Sequence, residues 1–232
     1  YGAAEAELVR IQQVAPDPEV FAPYDQAQLM REMALFPEWF VEKLLGIEIS
    51  DEERDLIQQT FHTLVKSALD QPQVVVHRDY HSRNLMLAQG ENIGVIDFQD
   101  ALVGAFSYDL VSLLKDCYIR WPADLVRARA ETFLAARIHA LGHQPVSAHQ
   151  LVTWFDLMGL QRHIKVLGIF ARLWLRDGKA RYLDDLPQVL RYTLEVTASH
   201  PELKVFDHWL RARVLPPIAS QPWYRDWRTA GE

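Results

Sequence analysis

A chain of 232 residues with 49% hydrophobic content can bury a full core, and its length suits one large domain or one lobe of a bigger protein. Its formal charge of −7 argues against nucleic acid or an anionic membrane as partner, since those are held by clustered Lys and Arg. No run approaches the ~20 apolar residues of a membrane span and no signal peptide is visible. A single cysteine, Cys117, forbids an internal disulfide and agrees with a reducing cytoplasm.

The chain opens on a helical pattern, with Leu8, Val9, Ile11 and Val14 ahead of the stop Pro16-Asp17-Pro18. Asp25 is placed to cap a second helix whose Leu29, Met33 and Phe36 recur at i, i+4 and i+7, with Pro37 closing it. Residues 38–45 read as a further short helix with Gly46 just past its end. Glu32 and Glu38 read as solvated helix charges, with sugar contact as the lesser alternative. Ser50-Asp51-Glu52-Glu53 is a capping box, opening a helix with Ile57, Phe61, Leu64, Val65 and Ala68 on one face.

Chemistry concentrates in the next stretch. Val74, Val75 and Val76 form a β-branched strand entering a loop at His77, and a second strand leaves the loop at 85–87. Gln89-Gly90-Glu91-Asn92 supplies turn residues, so 93–96 can return antiparallel and deliver Asp97 beside Asn84. An amide carbonyl and a carboxylate so placed suit a hard cation such as Mg²⁺, which also takes oxygens from a substrate phosphate. Asp79, five residues before Asn84, is then placed to accept a proton from an attacking hydroxyl. His77-Arg78-Asp79 followed by Asn84 fits the kinase pattern H-R-D-x-x-x-x-N, and Asp97-Phe98 fits the first two letters of D-F-G. Gln99 stands where protein kinases have Gly, no A-P-E follows, and Asp109-Leu110 opens a helix almost at once. That spacing leaves no room for a protein-kinase activation loop and disfavours a protein substrate.

Two competing readings touch the same residues. His77 and His81 flank Asp79, but no further ligands stand at zinc-site spacing, so His77 is better read as holding the loop. A two-metal phosphohydrolase would use Asp79 and Asp97 to bridge its ions, and the Asn84 spacing favours the kinase instead.

Downstream, Ser107 or Asp109 begins a helix containing Leu110, Val111, Leu114 and Cys117, and Trp121-Pro122 breaks the chain. Residues 123–141 form another helix, ended by Gly142. Pro145 and Ser147 start a pattern running from 151 towards 175, dense in Trp, Phe and Leu, which predicts a central buried helix interrupted once. Within it Gln161, Arg162, His163 and Lys165 are polar insertions, which read either as a polar face at helical period or as a group of which at least one faces a wet cavity. Pro187 and Pro201 sit where first-turn prolines are tolerated. Residues 216–227 read as an irregular aromatic tail that wraps the rest.

The loop and its departures from the protein-kinase pattern resemble the aminoglycoside phosphotransferase-like small-molecule kinases. The stretches at 76–86, 97–101, 108–118 and 159–168 are similar to one branch, the bacterial N-acetylmuramate/N-acetylglucosamine anomeric kinases of cell-wall sugar recycling. This resemblance implies an α+β fold: a protein-kinase-like C-terminal lobe, mostly α-helical, with a short β-hairpin carrying the catalytic and metal-binding loop. It implies ATP and Mg as cofactors, a sugar hydroxyl as acceptor, Asp79 as base, and Asn84 and Asp97 as metal ligands. Asp109 matches an aspartate that braces the catalytic loop through backbone hydrogen bonds, and His77 supports it. Arg83, His81, Gln161, Arg162 and His163 are candidate substrate contacts. An aminoglycoside, choline or other small-alcohol kinase shares the motif and stays open as an alternative. No G-x-G-x-x-G or Walker motif occurs and Lys43 is the first lysine, so 1–232 reads as the C-terminal lobe, its N-terminal nucleotide-binding lobe absent from this chain. The expected partners are ATP and a small sugar, with no nucleic acid and no membrane, in the cytoplasm.

Overall fold

The computed structural model describes residues 1–88 and 93–232. The expected turn Gln89-Gly90-Glu91-Asn92 lies outside the described residues. The chain divides into two compact units, one of residues 1–26 and 67–159, the other of 27–66 and 160–232.

In the first unit, α1 (Gly2–Ile11) buries Ala4 and Leu8. Strand β1 (Gln73–Val76) presents three buried valines and pairs antiparallel with β4 (Leu102–Ala105), Val74 opposite Gly104 and Val76 opposite Leu102. Strand β4 is not anticipated by the local pattern. It is held on its other side by residues 22–24, where the Tyr24 N–H donates to the Val103 carbonyl at 2.7 Å and the Val103 N–H to the Ala22 carbonyl at 2.9 Å. The expected hairpin strands are present as β2 (Leu85–Leu87) and β3 (Ile93–Val95), paired antiparallel with Leu85 opposite Val95. Helix α4 (Tyr108–Leu114) is buried along its whole length. Helix α5 (Ala123–Ala140) stops at Gly142, whose φ of +73° suits glycine. Arg129 on α5 clamps Glu5 on α1 through two bonds of 2.7 and 2.8 Å.

The second unit departs from expectation at four places. Helix α2 (Gln26–Met33) is not closed by Pro37, because the chain continues into a π-helical segment, Phe36–Leu44, with Pro37 in its first turn, where the missing N–H costs nothing. That segment ends where expected, at Gly46 with φ +68°. Glu32 is buried rather than solvated and pairs with Lys165 at 3.0 Å, whereas Glu38 stays exposed beside Lys43. Helix α6 (Ala148–Asp177) runs 30 residues without interruption. Its Gly168 does not break it but permits close packing, since a Cβ there would stand 2.4 Å from the Leu35 carbonyl carbon. The irregular tail starts at Ser220 rather than Pro216, because Pro216 and Pro217 stand in the first turn of a short helix, α9 (Leu215–Ala219), which follows α7 (Leu186–Ser199), α8 (Lys204–Trp209) and a π-helical turn.

The capping box ahead of α3 (Asp51–Leu69) forms in both directions. The Glu53 N–H donates to Ser50 Oγ at 3.2 Å, and the Ser50 N–H donates to the Glu53 carboxylate at 2.9 Å. The predicted apolar face of α3, from Ile57 to Ala68, is buried. Phe36 stacks on Phe40 at 5.7 Å and meets the Phe206 and Trp209 rings edge-on, which makes the aromatic centre of this unit.

Candidate active site

The loop after β1 is built on a buried carboxylate. Asp109, in the first turn of α4 and fully buried, accepts the His77 N–H at 2.7 Å and the Arg78 N–H at 2.9 Å, one on each oxygen. Charge-assisted bonds of this kind hold Arg78 at φ +75°, a left-handed conformation that a residue with a side chain enters at a cost. The Arg78 guanidinium donates to the Asp100 carbonyl at 3.2 Å, tying the loop to the segment after Asp97.

His77 joins the loop to the hairpin. Its Nδ1 accepts the Asp79 N–H at 3.3 Å and its Nε2 donates to the Ile96 carbonyl at 3.0 Å. Burial lowers the pKa of the ring, which keeps it in the neutral Nε2–H form these two bonds require. With both nitrogens so used, His77 has none left for zinc.

Asn84 closes the frame. Its Nδ2 donates to the Asp79 carbonyl at 3.0 Å, which fixes the amide with its carbonyl oxygen as the remaining acceptor. Its own backbone carbonyl takes the Ile96 N–H at 3.2 Å, one residue before Asp97. Asp97 stands at φ +71° and accepts the Gln99 side-chain amide at 2.9 Å. The backbones of Asp79, Asn84 and Asp97 are therefore brought together by one hydrogen-bonded frame, with Asp79 and Asn84 half-buried and Asp97 exposed. Two hard oxygen donors facing water suit Mg²⁺, which keeps waters and completes its shell with phosphate oxygens. Among the described residues no group of three or more His, Cys, Asp and Glu could hold a metal, so an ion here would rest on the Asn84–Asp97 pair.

Sequence reasoning missed Asp116. Fully buried just past α4, it accepts the Ser82 hydroxyl at 2.6 Å, the Ser82 N–H at 3.1 Å and the Tyr118 N–H at 2.9 Å. It grips the far end of the loop after β1 as Asp109 grips the near end. The available signal was a carboxylate inside the apolar run Leu113-Leu114-Lys115-Asp116-Cys117, where a lone charge needs a partner.

The candidate substrate contacts fall in two groups. His81 meets the Tyr118 ring edge-on at 5.4 Å, and the exposed Arg83 stacks its guanidinium 3.4 Å above the same ring, so both stand beside the catalytic loop. Gln161, Arg162 and His163 lie in the second unit, all buried, with His163 stacked on Tyr192 at 4.8 Å.

A strand, a loop braced by a buried aspartate and a hairpin ending in an Asn–Asp pair define a protein-kinase-like phosphotransferase scaffold. Residues 1–149 match the family described as "Phosphotransferase enzyme family", APH, and the chain belongs to that family. It is 47% identical over 204 residues to an N-acetylmuramate/N-acetylglucosamine kinase of Neisseria meningitidis, covering 86% of this chain and 59% of that enzyme. An enzyme of the same name from Pseudomonas aeruginosa is 46% identical over 184 residues, 79% of this chain and 54% of that one. The chain thus spans somewhat over half the length of these relatives. Among solved structures, a Plasmodium vivax ethanolamine kinase shares the fold with a TM-score of 0.58 at 14% identity, over 88% of this chain and 59% of the other. The kinase-like, mostly helical fold expected from sequence is the fold found. No helix among the described residues is long and apolar enough to cross a membrane.

Proposed function

We propose that this chain carries the catalytic residues of an ATP- and Mg²⁺-dependent kinase that phosphorylates the anomeric hydroxyl of an amino sugar, N-acetylmuramate or N-acetylglucosamine. The observation that carries the chemistry is the frame in which Asp79 is held at its N–H by His77 and at its carbonyl by Asn84. The names of its relatives supply the acceptor.

Asp79 is fixed on both sides of its peptide unit, so its carboxylate is held to orient the acceptor hydroxyl and take its proton. Asn84 and Asp97 would hold the metal, which supplies neutralisation of the phosphate charge. The local surplus of carboxylates at Asp79, Asp97 and Asp100 makes such a counter-charge necessary before a triphosphate can approach. An anomeric hydroxyl is more acidic than an ordinary alcohol, so this base is asked for less than in an alkanol kinase. His81 and Arg83, beside the loop, are positioned for contact with the sugar, and Gln161, Arg162 and His163 stay candidates for the same task. Such an enzyme acts in the cytoplasm, on sugars recovered from the cell wall.

The test uses Asp79→Asn in the full-length protein. Mg-ATP binding should stay near normal and turnover should fall by roughly 100-fold or more, the usual worth of a positioned general base. Retained turnover removes Asp79 from the role. A panel of amino sugars, aminoglycosides and choline, read by coupled ADP detection, assigns the acceptor, and phosphate release without any acceptor would mark a hydrolase instead.

A further inference from the structure

Helices α1 and α5 border an open concavity of about 420 Å³ within the first unit, lined by none of the residues of the loop from His77 to Asn84. Its wall holds three charged side chains, Glu5, Arg129 and Arg137, among apolar Val9, Ala128 and Phe133. Arg129 and Glu5 neutralise each other through their paired bonds. Among the described residues Arg137 has no such carboxylate partner. Its side chain is 4% exposed, its Nε donates to the neutral Gln12 Oε1 at 3.0 Å, and its Nη2 is buried without an acceptor. Gln12 is itself oriented, because its Nε2 donates to the Phe106 carbonyl at 2.8 Å, so the amide oxygen is the atom turned to Arg137.

A buried guanidinium is ordinarily paired with a carboxylate, since removing it from water is costly without one. Burial here weakens the hold of Arg137 on its proton, and no acidic group offsets that effect. In a chain of net charge −7 this leaves a concavity with one surplus positive charge. The Arg fork matches oxyanions of planar geometry, and a single cation in an apolar wall favours a monoanion over a phosphate dianion. The cavity falls within the usual size of small-molecule sites.

We propose that the cavity between α1 and α5 is a binding site for a small organic carboxylate. Its carboxylate pairs with the Arg137 guanidinium, and its apolar or aromatic body packs against Val9 and Phe133. This site stands apart from the kinase reading and does not depend on it.

The probe is benzoate, titrated into the full chain and followed by the methyl resonances of Val9, Ala128 and Ala136. Benzoate should shift them saturably, and benzyl alcohol, matched in shape but uncharged, should bind roughly tenfold more weakly or worse, as loss of one charge-assisted pair predicts. Arg137→Met should weaken benzoate by a similar factor. If that variant fails to fold, Val9→Phe fills the cavity from the α1 side while leaving the Gln12–Arg137 bond in place, and it should also abolish saturable binding. Equal affinity for benzoate and benzyl alcohol, benzoate binding unchanged by Val9→Phe, or no saturable shift with benzoate would each overturn the proposal.

Discussion

His77 donates its Nε2–H to the carbonyl of Ile96 at 3.0 Å, and through that bond the loop after β1 and the strand leading to Asp97 share one neutral imidazole. The ring spans residues 19 apart in sequence, with Asp79 on its other nitrogen. Asp79 and Asp97 are thus positioned by the same side chain, and a disturbance of His77 reaches both.

This arrangement makes the site sensitive to acid. Protonation of Nδ1 removes the acceptor for the Asp79 N–H, and burial holds the His77 pKa below its ordinary value of 6.5. The unfolded chain therefore takes up the proton first, so the stabilisation is complete above pH 6.5 and is lost as pH falls from there through the folded value. A ring-proton NMR titration should place the His77 midpoint below 6.5 with the Nε2–H tautomer. His77→Gln keeps an amide donor for Ile96 and cannot titrate, so its stability should be flatter over the same window. A midpoint raised above 6.5 contradicts this account.

Asp109→Asn tests the near brace. Asparagine retains one acceptor but turns an amide N–H₂ towards a backbone N–H that now lacks a partner, at a position where Asp109 is fully buried. An unsatisfied buried donor costs about 1–3 kcal/mol, and loss of the restraint on Arg78 adds to it. Urea unfolding should show a loss of about 2–3 kcal/mol. A change within about 0.5 kcal/mol, ordinary for a surface site, would mean that the brace does not carry the loop.

The chain's local patterns reveal the loop from His77 to Asn84 and the β2–β3 pair because their spacing is short and both are set by neighbours in sequence. Strand β4 is invisible locally because Leu102-Val103-Gly104-Ala105 has neither alternation nor length, and its identity comes from β1, some 30 residues earlier. Asp116 was missed for a related reason, since two of its three bonds are made to Ser82, 34 residues earlier in the chain. At Pro37 the opposite error arises. Its local meaning is to close a helix, and first-turn geometry in the π-helical segment overrides it.

The far brace has an internal control. Asp116→Ala strips the acceptor from the Ser82 N–H, the Ser82 hydroxyl and the Tyr118 N–H together, whereas Ser82→Ala removes one of the three. The first should cost about 3 kcal/mol and the second about 1 kcal/mol. In the full-length protein the first should also lower turnover more than the second. Equal costs, or a harmless Asp116→Ala, would show that the loop is held elsewhere.

Gly168→Ala sets packing against propensity. In an exposed helix interior the exchange would gain about 1 kcal/mol, because alanine loses less backbone freedom. Here the added carbon would meet backbone, 2.4 Å from the Leu35 carbonyl carbon and 2.6 Å from the Phe36 nitrogen, and neither atom can rotate away. Helix α6 must then shift from the junction between α2 and the π-helical segment, an overpacking that costs about 1–3 kcal/mol. Gly94→Ala serves as comparison, since its nearest neighbours are at 3.8 Å, an ordinary contact distance. Thermal unfolding should rank Gly168→Ala well below Gly94→Ala, and a stabilised Gly168→Ala would mean that α6 does not approach Leu35 as closely as described.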